Sequence, residues 1–168
     1  MDFYDVIRGR HSVRGYMSEP IPQESLQRIG EALMAAPSAC NLQPWEFWVV
    51  LNPEIRRKIC AVYSQPWLAQ APAIIVAIGN PEAAWKRREG TSIVDVDIGI
   101  AMEHVVLAAE AEGLGTCWIC AYEINKMNRA LALHPPHTVI AISPLGKPAQ
   151  KPAPPPRRPL EQLFKVVA

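Results

Sequence analysis

The chain has 168 residues, of which 49% are hydrophobic and 20% are charged, and its formal net charge is +1. This length fits one domain with a sizeable core, and the near-neutral charge gives no support to nucleic acid or a membrane surface as the main partner. The chain starts without an apolar signal segment, and no apolar run reaches the roughly 20 residues of a membrane span. We therefore expect a cytoplasmic protein whose four cysteines are free thiols.

The first predicted element is a short helix, capped by Asp2, with Phe3, Val6 and Ile7 on one side. A basic loop follows, in which three arginines, a histidine and a serine lie between positions 8 and 14. Guanidinium and hydroxyl groups are hydrogen-bond donors that suit phosphate. The loop therefore indicates a site for an anionic ligand, and the alternative is a solvated basic turn.

A second helix, with an apolar stripe from Leu26 to Leu33, is expected to stop at Pro37. Residues 37–45 then form a loop whose Ser38, Asn41 and Gln43 are uncharged hydrogen-bonding groups. The alternative for this loop is a plain helix-to-strand connection. We predict a strand over 46–51, a helix beginning at Pro53, and a strand over 73–78 that is buried on both faces.

Residues 80–90 are polar and predict an exposed loop or lid. The longest predicted helix, 93–112, is apolar around most of its circumference, which is typical of a central helix packed on several sides. Asp95 and Asp97 lie at its start, where carboxylates interact favourably with the helix dipole. His104 in this helix is expected to pack in the core or at an interface. A metal role for the two aspartates is the weaker alternative, because no histidine or third acid stands at ligand spacing.

Cys117 and Cys120 form a CxxC pair inside an apolar run, 117–121, that predicts a strand. Residues three apart in a strand point to opposite faces, so this pattern favours separate thiols over a metal or redox site, which remains the alternative. A helix over 123–133 and a strand over 138–142 complete the predicted domain, residues 1–147.

Residues 148–168 form a separate proline-rich segment. Six prolines between positions 148 and 159 favour an extended arm, and at about 3.1 Å per residue it would span about 35–40 Å. A domain of this size has a radius of gyration of about 15 Å, so the arm can leave its own domain. Leu160, Leu163 and Phe164 form an apolar foot at its end. We expect the arm to pack on a partner subunit, and the alternative is a disordered tail.

The sequence contains no nucleophile elbow, no P-loop, no dinucleotide-binding glycine pattern and no zinc-protease motif. We therefore predict neither a catalytic side chain nor a metal site. If the protein is an enzyme, a bound cofactor is expected to carry out the difficult step. Arginines for a phosphate, and amides and hydroxyls for a sugar chain and a ring edge, are what flavin mononucleotide (FMN) requires. The composition does not by itself identify FMN.

Two motifs together resemble the nitroreductase family of FMN-dependent oxidoreductases: Arg-His-Ser-Val-Arg at 10–14 and Pro-Ser-Ala-Cys-Asn-Leu-Gln-Pro-Trp at 37–45. Residues 113–118, 144–148 and 157–162 agree with the family in order and spacing, so the resemblance covers almost the whole chain. It implies an α+β fold with a central, mostly antiparallel sheet flanked by helices. It also implies an intertwined homodimer with two FMN sites shared between the subunits.

The resemblance also implies the residues that bind the cofactor. One chain would contribute the basic loop, Arg157 or Arg158 would reach the phosphate, and Gly115 would face the flavin ring through its backbone. The partner would contribute the second loop. The complete set is Arg10, His11, Ser12, Arg14, Pro37, Ser38, Asn41, Gln43, Gly115, Arg157 and Arg158.

The implied activity is that of an NAD(P)H-dependent enzyme. NADH or NADPH reduces FMN, and the reduced flavin then reduces a small acceptor such as a nitroaromatic or a quinone by a ping-pong mechanism. Dehalogenation, flavin modification and non-catalytic flavin carriage are the alternatives. The short region between residues 72 and 93 departs from longer family members, in which an inserted helical segment covers the flavin.

Overall fold

The computed structural model describes residues 2–167. Their helices are α1 (Phe3–Gly9), α2 (Gln23–Met34), α3 (Pro53–Val62), α4 (Val94–Ala111), α5 (Ile124–Ala130) and α6 (Leu160–Leu163). Their strands are β1 (Trp45–Val50), β2 (Ala73–Gly79), β3 (Gly115–Thr116) and β4 (Thr138–Gly146). Two short 3-10 turns, Ala39–Asn41 and Leu68–Gln70, precede β1 and β2.

The four strands form one sheet in the order β1-β2-β4-β3, and every neighbouring pair is antiparallel. All seven residues of β2 are buried, as the continuous apolar run predicts. Alternate residues of β2 serve two cores, because successive strand side chains point to opposite faces. Ala73, Ile75 and Ala77 pack with α2 and α4, and the residues between them pack with α3 and α5. The α+β fold expected from the sequence is confirmed.

Local sequence signals explain the first helices. The Asp2 carboxylate accepts a hydrogen bond from the Tyr4 backbone N–H at 2.7 Å and so caps α1. Asn52 caps α3 in the same way, accepting from the Glu54 and Ile55 N–H groups, and Pro53 occupies the first helical position, where its missing N–H costs nothing. Helix α4 lies within one residue of its predicted bounds at each end.

The prediction of a strand over 117–121 is wrong. The paired segment is Gly115–Thr116, after which only Ile119 bridges to Ile142. The ladder is interrupted because the Cys117 N–H donates to the Ser143 hydroxyl, at 3.0 Å, instead of to a strand carbonyl. Strand β4 also runs four residues further than predicted, through to Gly146.

Helix α5 ends earlier than predicted, at Ala130. Ala132 adopts a left-handed backbone conformation with φ of 54°, which a continuing α-helix does not allow. None of the helices formed by residues 2–167 combines the length and the hydropathy that a bilayer crossing requires.

Candidate functional site

The basic loop is fixed against the edge of the sheet. The Val13 N–H donates to the Thr116 carbonyl at 2.9 Å, and Ser12 forms a parallel β-bridge with Thr116. The buried Tyr16 hydroxyl donates to the Val13 carbonyl at 2.7 Å, and burial raises the pKa of this phenol well above its ordinary value. The loop is therefore held by the sheet and by its own aromatic residue, and its polar side chains project from a firm backbone.

The proline-rich arm turns back along this loop. The Met17 N–H donates to the Lys147 carbonyl at 2.9 Å, and the Ala149 N–H donates to the Gly15 carbonyl at 3.0 Å. Residues 151–159 then continue without helix or strand. The first part of the arm thus lies on its own domain, while α6 at its end remains exposed.

The arm and the loop enclose a cavity of about 330 Å³. Three guanidinium groups, an imidazole and a hydroxyl line it together with three small or cyclic residues of the arm: Arg10, His11, Ser12, Arg14, Arg157, Pro152, Ala153 and Pro155. Arg157 is among the lining residues and Arg158 is not. Five of the residues predicted for the site therefore lie together in one chain.

The charges in this cavity favour an anion. Arg10 uses its Nε atom for an ion pair with Glu103 on α4, at 3.5 Å. The Arg14 guanidinium lies 5.9 Å from the ring centre of Trp67, within cation–π range. Among residues 2–167, neither Arg14 nor Arg157 forms an ion pair with a carboxylate. One of the three arginines thus pairs with a carboxylate of these residues and the other two do not, which leaves guanidinium donors available to a ligand.

His11 adds a polar atom without a partner. Its Nδ1 atom is buried and makes no hydrogen bond with any group of residues 2–167. Buried polar atoms in folded proteins are nearly always hydrogen-bonded. His11 lines the arginine-rich cavity, and its unpartnered ring nitrogen is consistent with a hydrogen-bond partner that this chain alone does not supply.

Gly115 lies beneath the basic loop, and its small size is required there. A Cβ atom at this position would lie 2.7 Å from Val13 Cγ2 and 3.0 Å from Pro148 Cγ. These distances are too short for side-chain contacts, so glycine allows both the loop and the start of the arm to approach β3. Close packing therefore explains why glycine is required at position 115, and the sequence alone did not indicate this.

The loop at 37–44 forms a second polar group with an unusual backbone. Cys40, Asn41 and Gln43 all have positive φ, at 51°, 53° and 48°, a region that residues other than glycine seldom occupy. The Ser38 hydroxyl accepts from the Gln43 N–H at 2.8 Å, and the Gln43 side-chain amide donates to the carbonyl and the side chain of Asn41. Local hydrogen bonds thus link Ser38, Asn41 and Gln43 to one another, and Asn41 and Gln43 are exposed.

The structure does not bring this second loop to the cavity within one chain. Pro37, Ser38, Asn41 and Gln43 are absent from the residues that line it. The loop instead contacts the first turn of α4, where the Ala39 N–H donates to the Asp97 carboxylate at 3.0 Å. Nine of the eleven predicted site residues therefore fall into two groups, five around the cavity and four on the loop, whereas Gly115 and Arg158 belong to neither group.

The two thiols of the CxxC pair lie in different environments in the described structure. Cys117 is buried and Cys120 is exposed, and both are free thiols. Partial burial, and then the nearby Asp95 carboxylate, raise the pKa of Cys120, which disfavours the thiolate needed for a metal or redox site. Among residues 2–167, no group of three histidine, cysteine or acidic side chains is placed to hold a metal ion.

Sequence reasoning missed several residues of the site. Trp67, Glu103 and three arm residues, Pro152, Ala153 and Pro155, were not assigned to it, because their distance in sequence hides their contacts. Asp97 was assigned to the helix dipole, with a metal role as the alternative, and not to the second loop. The sequence signal for Asp97 was a carboxylate between two apolar residues, Val96 and Ile98, and a charged side chain is seldom found at a position that is 1% exposed.

Comparisons with known proteins agree with this fold. The sequence model described as the Nitroreductase family matches residues 7–62 and 59–147. An FMN reductase [NAD(P)H] from Bacillus subtilis is 34% identical over 169 residues, covering 90% of this chain and 68% of its own. An NADH dehydrogenase from Thermus thermophilus is 30% identical, covering 92% and 90%.

Among solved structures, a nitroreductase family protein from Clostridium novyi NT has a TM-score of 0.83 and 35% sequence identity, with 91% of this chain and 89% of the other covered. The sequence match includes the basic loop, the second loop and all four strands of the sheet, and the structural match covers most of the chain. The chain therefore belongs to the nitroreductase family.

Proposed function

We propose that this protein is an FMN-dependent oxidoreductase that takes a hydride from NADH or NADPH and reduces a small second acceptor. The observation that carries the proposal is the cavity in which three guanidinium groups and the Ser12 hydroxyl converge. Arg10, Ser12, Arg14 and Arg157 would hold the dianionic phosphate of FMN, since guanidinium groups match phosphate oxygens as paired donors.

The arm supports FMN over a longer flavin nucleotide. Pro152, Ala153 and Pro155 of the arm line the cavity together with the basic loop. A terminal phosphate can end in such a cavity, whereas a nucleotide with a further adenylate group must continue beyond it. His11, with its unpartnered Nδ1 atom, is placed to bind a polar group of the cofactor.

We infer that the complete site is shared by two subunits. At about 330 Å³ the cavity is at the small end of the range of about 300–1,000 Å³ for ligand sites. Pro37, Ser38, Asn41 and Gln43 would reach it from the partner and contact the ribityl chain and ring edge. Gly115 and its neighbours would lie close to the ring. Shared sites require a homodimer.

The surface of the single chain supports this dimer. Val96 and Ile100, four residues apart on α4, are 51% and 37% exposed, so they form an apolar stripe on one helix face. Leu160, Leu163 and Phe164 at the end of the arm are exposed as well. Exposed apolar patches of this kind mark association surfaces. This arrangement agrees with an arm, residues 148–168, whose foot packs on the partner.

The reaction proposed is a ping-pong transfer, in which NAD(P)+ leaves before the acceptor binds. When bound, FMN supplies the hydride-accepting ring that none of the side chains provides. The named relatives, an FMN reductase and an NADH dehydrogenase, support nicotinamide as reductant. A nitroaromatic or a quinone is the proposed acceptor. Arginines near the phosphate bind and orient, and they take no part in proton transfer. A cytoplasmic location, expected from the sequence, stays a prediction.

Anaerobic stopped-flow experiments on the two half-reactions test this function. FMN-loaded protein should be reduced by NADH or NADPH alone, and the reduced protein should then be reoxidised by a nitroaromatic or a quinone added without nicotinamide. A loaded protein that stays oxidised with excess NADH and NADPH would instead be a flavin carrier. Reduction followed by no reaction with either acceptor would point to another family chemistry, such as dehalogenation.

A further inference from the structure

The strained loop is joined to distant parts of the chain at two points, and one of them is the end of the loop, where the Pro44 carbonyl accepts a hydrogen bond from the Asn80 N–H at 2.9 Å. Among the hydrogen bonds of residues 2–167, the bond from the Ala39 N–H to the Asp97 carboxylate is the one that connects residues 38–43 to an element distant in sequence. The other bonds of these residues are local. This contact spans 58 positions of sequence and measures 3.0 Å.

The Asp97 carboxylate anchors the loop, and burying it costs free energy. A buried carboxylate at this position therefore indicates a specific role. Asp97 is 1% exposed, and its second oxygen, Oδ2, is buried without a hydrogen-bond partner among residues 2–167. A buried carboxylate is unfavourable unless it is well paired. Its position in the first turn of α4 offsets part of this cost through the helix dipole, and its charge strengthens the bond to Ala39 relative to a neutral acceptor.

The conformation that Asp97 holds is itself unfavourable. Three residues of the loop have positive φ without being glycine, and such residues persist only where the surroundings impose them. Without the anchor, the loop gains access to relaxed conformations in which Ser38 and Asn41 point elsewhere. Ligand affinity then falls in proportion to the population that keeps the binding conformation.

We propose that Asp97 is a positioning residue of the flavin site, which fixes residues 38–43 in the conformation that presents Ser38 and Asn41 to FMN. This inference rests on the proposed function, in which the loop completes the site of the partner subunit. Asp97 does not itself contact the cofactor. It acts through the backbone of Ala39, from the helix that also carries Glu103, the partner of Arg10.

The test compares Asp97→Ala with Asp95→Ala in the full-length dimer, with FMN affinity measured by fluorescence titration. Asp95 lies in the same helical turn but is exposed, so its replacement removes the same charge without touching the loop. We expect Asp97→Ala to weaken FMN binding at least about tenfold, the low end for a charge-assisted hydrogen bond. Asp97→Asn keeps an acceptor for Ala39 and should restore most of the affinity.

Two further readouts separate positioning from general destabilisation. Hydrogen exchange at the Ala39 amide should be slow in the wild type and in Asp97→Asn, and fast in Asp97→Ala. A double-mutant cycle with Asn41→Ala should be strongly non-additive, because Asp97 acts through the group that Asn41→Ala already removes. If Asp97→Ala does not fold, Asp97→Ser, whose short hydroxyl cannot reach Ala39, replaces it in both experiments.

Equal FMN affinity for Asp97→Ala and the wild type would overturn the inference, as would additive losses in the cycle with Asn41→Ala. Failure of the proposed function has a different signature. In that case wild-type protein binds no FMN, or Arg14→Ala and Asn41→Ala both leave its affinity unchanged. Loss of affinity in those two variants, with no effect at Asp97, would refute the positioning role alone.

Discussion

Replacing Arg14 by alanine tests whether the arginine-rich cavity binds the phosphate of a flavin. Arg14 lines the cavity and forms no ion pair with a carboxylate of residues 2–167, so its charge is available to a ligand. Its contact with the Trp67 ring, at 5.9 Å, exists without the ligand. Because that contact can be present both with and without FMN, it contributes little to the free energy of FMN binding.

The magnitude follows from the exposure of the side chain. A hydrogen bond to a charged group contributes about 1.5–3 kcal/mol. Arg14 is exposed, so solvent screening places it at the low end, about 1.5 kcal/mol, and Arg10 and Arg157 remain to hold the phosphate. We therefore expect the FMN dissociation constant of Arg14→Ala to rise about tenfold. The difference should shrink as salt is added, because ions screen exposed charges.

Arg87→Ala is the matched control. Arg87 is also exposed, but it lies in the turn between β2 and α4 and does not line the cavity. Surface substitutions of this kind change free energies by about 0.5 kcal/mol at most, so FMN affinity should stay within about twofold of wild type. Fluorescence titration of the flavin-free protein measures both variants. Equal affinity for Arg14→Ala and Arg87→Ala would refute the assignment of the cavity.

Three further predictions follow from the structure. Truncation after Pro148 removes Arg157 and the other arm residues that line the cavity. It should weaken flavin binding and destabilise the dimer. A yellow protein that light scattering shows to be an intact dimer would contradict the role of the arm. Gly115→Ala should lower the free energy of unfolding by about 1–3 kcal/mol through overpacking. Gly30→Ala, with nothing within 4 Å of its added Cβ, should raise it by up to about 1 kcal/mol. Urea unfolding measures both variants, and a less stable Gly30→Ala than Gly115→Ala would contradict the packing role of Gly115. Replacing Cys117 and Cys120 by serine should leave metal content and NADH oxidation unchanged, and loss of either would revive the CxxC alternative.

The sequence predicted those parts of the fold that depend on local signals. Caps and apolar spacing located α1 and α3, and the continuous apolar run located β2, because each signal acts over a few residues. Strand β3 was misplaced because its register depends on contacts distant in sequence. Gly115 looks like part of a turn until the packing of Val13 and Pro148 against it is known.

The candidate site was predictable in its residue types but not in its geometry. Both loops were identified because their arginines and amides have the spacing of nitroreductase family motifs. The return of the arm onto its own loop was not predictable, because it depends on backbone bonds such as that from Ala149 to Gly15. The left-handed conformation at Cys40 and Asn41 was likewise hidden, since neither residue type requires it and the anchor, Asp97, lies far along the chain.

The visible absorption spectrum of the purified protein, recorded without oxygen before and after addition of NADH or NADPH, shows whether the protein binds a flavin that a nicotinamide reduces. We expect a yellow protein, or a protein that becomes yellow with added FMN, whose flavin absorbance bleaches when the nicotinamide is added. A colourless protein that FMN cannot reconstitute would contradict this expectation.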